Sequence, residues 1–110
     1  MPGDDLGGLD VQPLAEIDRM VHEPARLMIM SVLYVVASAD FLFLLRQTGL
    51  TRGNLSSHLS KLESAGYVDV EKEFVDKMPH TVLRLTEAGR AALQTYRARL
   101  ADVLEGLEGG

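Results

Sequence analysis

Residues 49–68 constrain this chain more than any other stretch, because they hold a helix start, a helix stop and a single apolar stripe between them. Thr51 can accept the free N–H groups of a first turn, and Gly66 can take the left-handed conformation that ends one. Leu55, Leu59 and Leu62 recur at spacings of four and three, so they share one buried face. At about 100° per residue, Gly53, Ser57, Ser60 and Ser64 point away from that face, with Asn54, Ser56 and Lys61 on its shoulders. The outward side is small and polar. A helix of this profile fits deep into a groove.

The neighbouring elements give that helix a context. Asp40 opens a short helix through Phe41, Leu42, Phe43, Leu44 and Leu45 to Gln47, and Gly49 stops it. Leu50 plugs the tight connection that follows. Helix, glycine turn and capped second helix are the marks of a helix-turn-helix. After Gly66 the period changes from helical to alternating. Residues 67–72 and 81–85 predict two strands, and Asp76, Lys77, Met78, Pro79 and His80 the hairpin tip between them. A hairpin directly after such a helix is a wing.

Upstream, residues 1–12 are rich in Gly and Asp and predict a mobile tail. From Pro13 the spacing of Leu14, Ile17 and Val21 predicts a first helix ending near His22 and Glu23. Pro24 suits the first position of a second helix, whose residues 25–37 are apolar all round, as expected of a helix buried on most sides. A membrane span would have to run from Leu27 to Leu45, and Ser38, Ala39 and Asp40 break it with a loop and a helix cap. Downstream, Thr86 and Glu87 open a last helix in which Leu93, Tyr96, Leu100, Val103 and Leu107 form a heptad seam. Its plainer reading is packing on its own domain. Its length favours dimerisation, together with the apolar second helix, about a two-fold axis. The expected fold is mainly α with a small β-hairpin, divided into a tail (1–12), a winged helix-turn-helix (13–86) and a dimerisation helix (87–110).

Composition narrows the function. The chain has no cysteine, which excludes disulfides, thiolate metal sites and cysteine catalysis. Acidic residues stand at the N-terminus where a secretory signal needs positive ones, so a cytoplasmic location is expected. The formal charge of −5 opposes indiscriminate binding to nucleic acid. Its distribution is uneven: residues 46–84 carry six Lys/Arg against five acids, and the segments on either side are net acidic. That suits a reader of specific sites whose other surfaces are repelled by DNA. His22, His58 and His80 are scattered, no serine stands in a strand-to-helix elbow, and no glycine-rich phosphate loop occurs. Neither an enzyme, a metal site nor a cofactor is expected.

Asp40-Phe41, Leu50-Thr51, Gly53-Asn54-Leu55-Ser56, His58-Leu59, Leu62-Glu63 and Ala65-Gly66-Tyr67-Val68 together resemble the core of the small winged-helix transcriptional regulators of prokaryotes, relatives of the multiple antibiotic resistance and arsenic-repressor groups. Residues 22–27 resemble their entry into the second helix, and residues 85–90 their exit from the wing. The resemblance implies a homodimer on double-stranded operator DNA, most simply a repressor, with the helix in the major groove and the wing against backbone or minor groove. One departure stands out. Such wings carry several Lys/Arg, whereas Asp76 and Met78 here weaken the charge and His80 replaces a permanent cation, which would make wing contact pH-sensitive.

On this reading Thr51 caps the helix at the DNA. Arg52 reaches a guanine edge or a phosphate, or is only a solvated cation. Asn54 pairs with adenine or only braces the helix start. Ser56, Ser57 and Ser60 offer short donors, and Lys61 neutralises a phosphate. His58 lies about 60° from Leu55 and is expected to pack at the boundary. Lys72, Lys77, His80 and Arg84 are the wing candidates, although Lys72 and Arg84 can instead balance Glu71 and Glu73. The methionine-rich second helix leaves room at the dimer interface for an unidentified small-molecule effector. The rival reading is a winged helix used for protein–protein contact, in keeping with the acidic surface.

Overall fold

Helix caps set most of the element boundaries in the computed structural model, which describes residues 6–108. In chain order the elements are α1 (Gln12–Ala15), α2 (Pro24–Val36), β1 (Ser38–Asp40), α3 (Phe41–Thr48), α4 (Arg52–Ser64), β2 (Val68–Val75), β3 (Met78–Leu85) and α5 (Glu87–Glu108). Asp40 accepts the Phe43 N–H at 2.7 Å and so starts α3, and Gly49 ends it at φ 70°. Thr51 starts α4 by accepting the Asn54 N–H at 3.2 Å. At the other end of α4, the Gly66 N–H donates to the Glu63 carbonyl and the Tyr67 N–H to the Leu62 carbonyl, with Gly66 at φ 80°. This pair of bonds satisfies carbonyls that a helix end leaves open.

The core lies between α2, α3, α4, the sheet and the first half of α5. Ile29, Met30, Leu33, Leu44, Leu55, Leu62, Val68 and Leu83 are essentially sealed from solvent, and Leu59 joins them at 5% exposure. The leucine stripe of α4 is thus buried as its spacing requires. The sheet is antiparallel throughout, in the order β1-β3-β2. Its third strand departs from expectation. Ser38, Ala39 and Asp40 had the look of a loop, but they pair with Arg84, Leu83 and Val82 and so cover the base of an otherwise open strand edge.

The first helix is also shorter than expected. It ends at Ala15, and residues 16–23 form a structured turn because the Asp18 side chain takes the Met20 and Val21 N–H groups at 2.8 and 3.4 Å. Side-chain bonds of this kind compete directly with the helical ladder. Arg26 reinforces the turn by donating to the carbonyls of Met20 and Arg19. Ile17 and Val21 still enter the core. The Tyr67 hydroxyl donates to the Asp18 carboxylate, which together with burial pushes the phenol up to about 12.

Part of the expected mobile tail lies outside the described residues, which begin at Leu6; the rest packs along the second half of α5. Leu9 lies against Gly106, and Arg99 donates to the Glu16 carbonyl at 2.6 Å. This contact splits the heptad seam. Tyr96 and Val103 are each only 5% exposed and hold α5 to its own protomer, the plainer of the two readings for these two positions. Leu93 and Leu100 stay partly exposed, and Leu104 and Leu107 are 50% and 60% exposed, so the line left open on α5 runs through these four leucines. Nor is α2 covered all round as its composition implies. Met28, Ser31 and Val35 are exposed, Val35 at 83%. Among the described residues no helix is long and apolar enough to cross a membrane.

Candidate nucleic-acid interface

With its leucines buried, α4 presents the rest of its surface outward. Thr51, Arg52, Gly53, Asn54, Ser56, Ser57, Ser60, Lys61 and Ser64 are all exposed. Glycine and serine keep the middle of this face slim, while Arg52 in the first turn and Lys61 in the third set cations toward its ends. Neither cation has an ion-pair partner among the described residues. An uncommitted cation on a slim polar ridge is what phosphate neutralisation with base-edge contact requires.

His58 stays out of that face, at the boundary its helical position implies. Its Nδ1 accepts from Arg26 Nη1 at 3.3 Å and lies 3.7 Å from the Glu23 carboxylate. Glu23 in turn caps α2 by accepting the Ala25 and Arg26 N–H groups. Burial pushes this carboxyl up, but the two backbone donors, with His58 and Arg26 nearby, outweigh that and hold it below the usual range. The network ties α4 to the start of α2.

The wing is longer and tighter-turned than the sequence indicated. Residues 78–80, expected at the tip, belong to β3, and the ladder runs without interruption from the Val68–Leu85 pair to the Val75–Met78 pair. The turn is only Asp76 and Lys77, at φ 51° and 67°, the backbone that a two-residue hairpin with the natural strand twist demands. Lys72, Lys77 and His80 are exposed, with His80 opposite Glu73. Arg84 is only partly exposed; its guanidinium bonds Glu71 at 2.5 Å and lies 3.7 Å from Glu73. Of the two roles open to Arg84, cross-strand charge balance is the one its geometry serves in the free protein.

One residue escaped the sequence reading. Arg46, in the last turn of α3, is exposed and has no ion pair among the described residues. It precedes the glycine turn that leads into α4, and a lone basic side chain at a helix C-terminus was its only mark in the sequence.

A second concavity lies away from this surface, between α2 and α5. Leu27, Tyr34, Val35, Leu93, Leu100 and Leu104 line an apolar groove of about 460 Å³. At its rim Gln94 donates to the Tyr34 hydroxyl at 2.9 Å, and the Arg90 guanidinium stacks 4.4 Å above the Tyr34 ring.

Two helices joined by a glycine turn, the second capped and slim-faced, followed at once by a long hairpin, define a winged helix-turn-helix. The winged helix DNA-binding domain family matches residues 25–104, and the chain belongs to it. It is 29% identical over 90 residues to an uncharacterized protein of Methanocaldococcus jannaschii, covering 82% of this chain and 98% of the relative. It superposes on a transcriptional regulator homologue from Pyrococcus horikoshii OT3 with a TM-score of 0.82 and 34% identity, over 87% of this chain and 97% of that one. CouR, a transcriptional repressor solved on a 23-mer DNA duplex, shares the fold at a TM-score of 0.68 and 23% identity, over 83% of this chain and 61% of its own. The family is one of DNA-binding domains, and these two structural neighbours are a transcriptional regulator homologue and a transcriptional repressor, not enzymes.

Proposed function

We propose that the protein is a cytoplasmic, sequence-specific transcriptional regulator, acting as a repressor in the form of a homodimer on operator DNA. The observation that carries this reading is the exposed face of α4, where Arg52 and Lys61 flank a run of small hydroxyl side chains and have no protein partner among the described residues. In the major groove the first turn would meet base edges through Arg52 and Asn54, while Ser56, Ser57, Ser60 and Lys61 lie along the phosphates. The wing would reach the adjacent backbone or minor groove. That CouR, which shares this fold, was solved on a DNA duplex supports a duplex as the partner. Selection of bound sites from a random duplex pool tests the reading. For the selected duplex, log affinity should fall linearly with log salt, with a slope of about −0.9 for each phosphate neutralised. Failure to retain any duplex at low salt would reject the reading.

Residues 13–86 would form the DNA-binding unit and residues 87–110 the pairing helix. The dimer would close over the α2–α5 groove, and an effector could occupy what remains of it. Two apolar faces left open side by side, Val35 on α2 and Leu104 on α5, favour this arrangement. Val35→Glu combined with Leu104→Glu should place unpaired carboxylates in the interface, weakening association by roughly 100-fold or more. Both positions are at least half exposed in the protomer, so circular dichroism should be unchanged while light scattering reports a monomer. A dimer that survives both acids would show that the groove is not the pairing surface.

A further inference from the structure

The wing tip is apolar where a grip on phosphate would need charge. Phe74, Val75 and Met78 are 76%, 50% and 63% exposed, and exposed Pro79 stands directly across from Phe74. Strand alternation puts Phe74 and Pro79 on the face of the sheet that packs on the helices, and Val75 and Met78 on the other, so the tip is greasy on both sides. Residues 71–80 carry Lys72 and Lys77 against Glu71, Glu73 and Asp76, a net charge of −1. Charge alone would repel this hairpin from DNA. Yet its two-residue turn makes it a narrow, stiff blade beside the ridge of α4.

We propose that the wing acts as an apolar wedge, with Phe74 and Met78 entering the minor groove next to the major-groove site of α4, opening one base step and bending the duplex. This rests on the reading that α4 binds DNA. Shape favours DNA over a protein partner. The two-residue turn brings the hairpin to a tip of a few side chains, which a minor groove about 6 Å wide can admit once it opens while the wider ribbon behind them stays outside. A stable protein interface needs about 800 Å² from each side, more than four side chains at a hairpin tip present. Apolar side chains driven between base steps are a general means of kinking DNA. The contact would also be insensitive to salt, because it releases no counterions.

Phe74→Ser combined with Met78→Ser in the full chain provides the test, since both side chains are exposed and folding should be retained. Binding to the selected duplex is measured by anisotropy across salt concentrations. Bending is followed by energy transfer between the duplex ends, and unstacking by 2-aminopurine placed at successive flanking steps. The double variant should bind about 10-fold or more weakly at every salt concentration with the slope unchanged, as expected for loss of one stacking contact. It should also abolish the bend and the 2-aminopurine rise that the parent protein causes. Equal affinity and equal bending for parent and variant would overturn the wedge while leaving the role of α4 intact. A parent protein that binds no duplex would instead remove the α4 reading and the wedge with it. If only self-association changes, the tip belongs to a second copy of this chain and the wedge is wrong.

Discussion

Arg52→Ala combined with Lys61→Ala should lower affinity for the selected duplex by roughly 100-fold and flatten its salt dependence by about one unit of slope. The two side chains contribute differently. An Arg fork on a guanine edge discriminates by about 1–3 kcal/mol, whereas a Lys on a phosphate weakens all sequences alike. Arg52→Ala alone should therefore relax preference at one position, and Lys61→Ala alone should shift specific and non-specific binding together. Neither residue is buried or paired with a described protein group, so thermal stability should barely move. Anisotropy at several salt concentrations, on the selected duplex and on a scrambled one, separates these effects. Retention equal to that of the parent at low salt would show that α4 does not face DNA.

Much of that expectation could be read before any coordinates, because α4 is specified by local chemistry. Thr51, Gly66 and three leucines at helical spacing determine where the helix starts, where it stops and which way it faces. No distant residue has to be known. The hairpin was less legible at its tip. Turns of this tightness usually announce themselves with glycine or asparagine, and Asp76-Lys77 has neither, so the sequence alone puts Pro79 in the loop. Proline is tolerated there because β1 pairs only with residues 82–84, which leaves the outer half of β3 as an edge strand. The seam of α5 is legible only in part, for a different reason. A period reports which residues are buried, not what buries them, and what covers Tyr96 is its own core and His22, in the segment between α1 and α2. On the wing the sequence already offers Arg84 the partners Glu71 and Glu73, and the strand register is what brings them together.

The largest effect on stability is expected at a residue with no side chain. Gly89 sits in the first turn of α5, where exchange for alanine ordinarily stabilises a helix by up to about 1 kcal/mol. Here a Cβ would stand 2.2 Å from the Tyr67 carbonyl oxygen and 2.9 Å from Leu85 Cδ1. The carbonyl is backbone and cannot swing aside, and it already accepts the Thr86 N–H at 3.0 Å. Thr86 in turn caps α5 through the Gly89 N–H and donates to the Gly66 carbonyl, so shifting the helix loosens the junction that holds the end of α4 to the sheet. Steric overlap should outweigh helix propensity, and Gly89→Ala should destabilise the fold by about 2–4 kcal/mol, within the range of severe packing errors. Gly53→Ala supplies the contrast. That glycine lies in the first turn of α4 with nothing within 4 Å of its would-be Cβ, so the same exchange should stabilise by about 0.5 kcal/mol. Denaturant unfolding of the two variants should move in opposite directions. If Gly89→Ala were neutral or stabilising, α5 could not pass as close to the Tyr67 carbonyl as described, and the junction between helix, sheet and α4 would have to be redrawn.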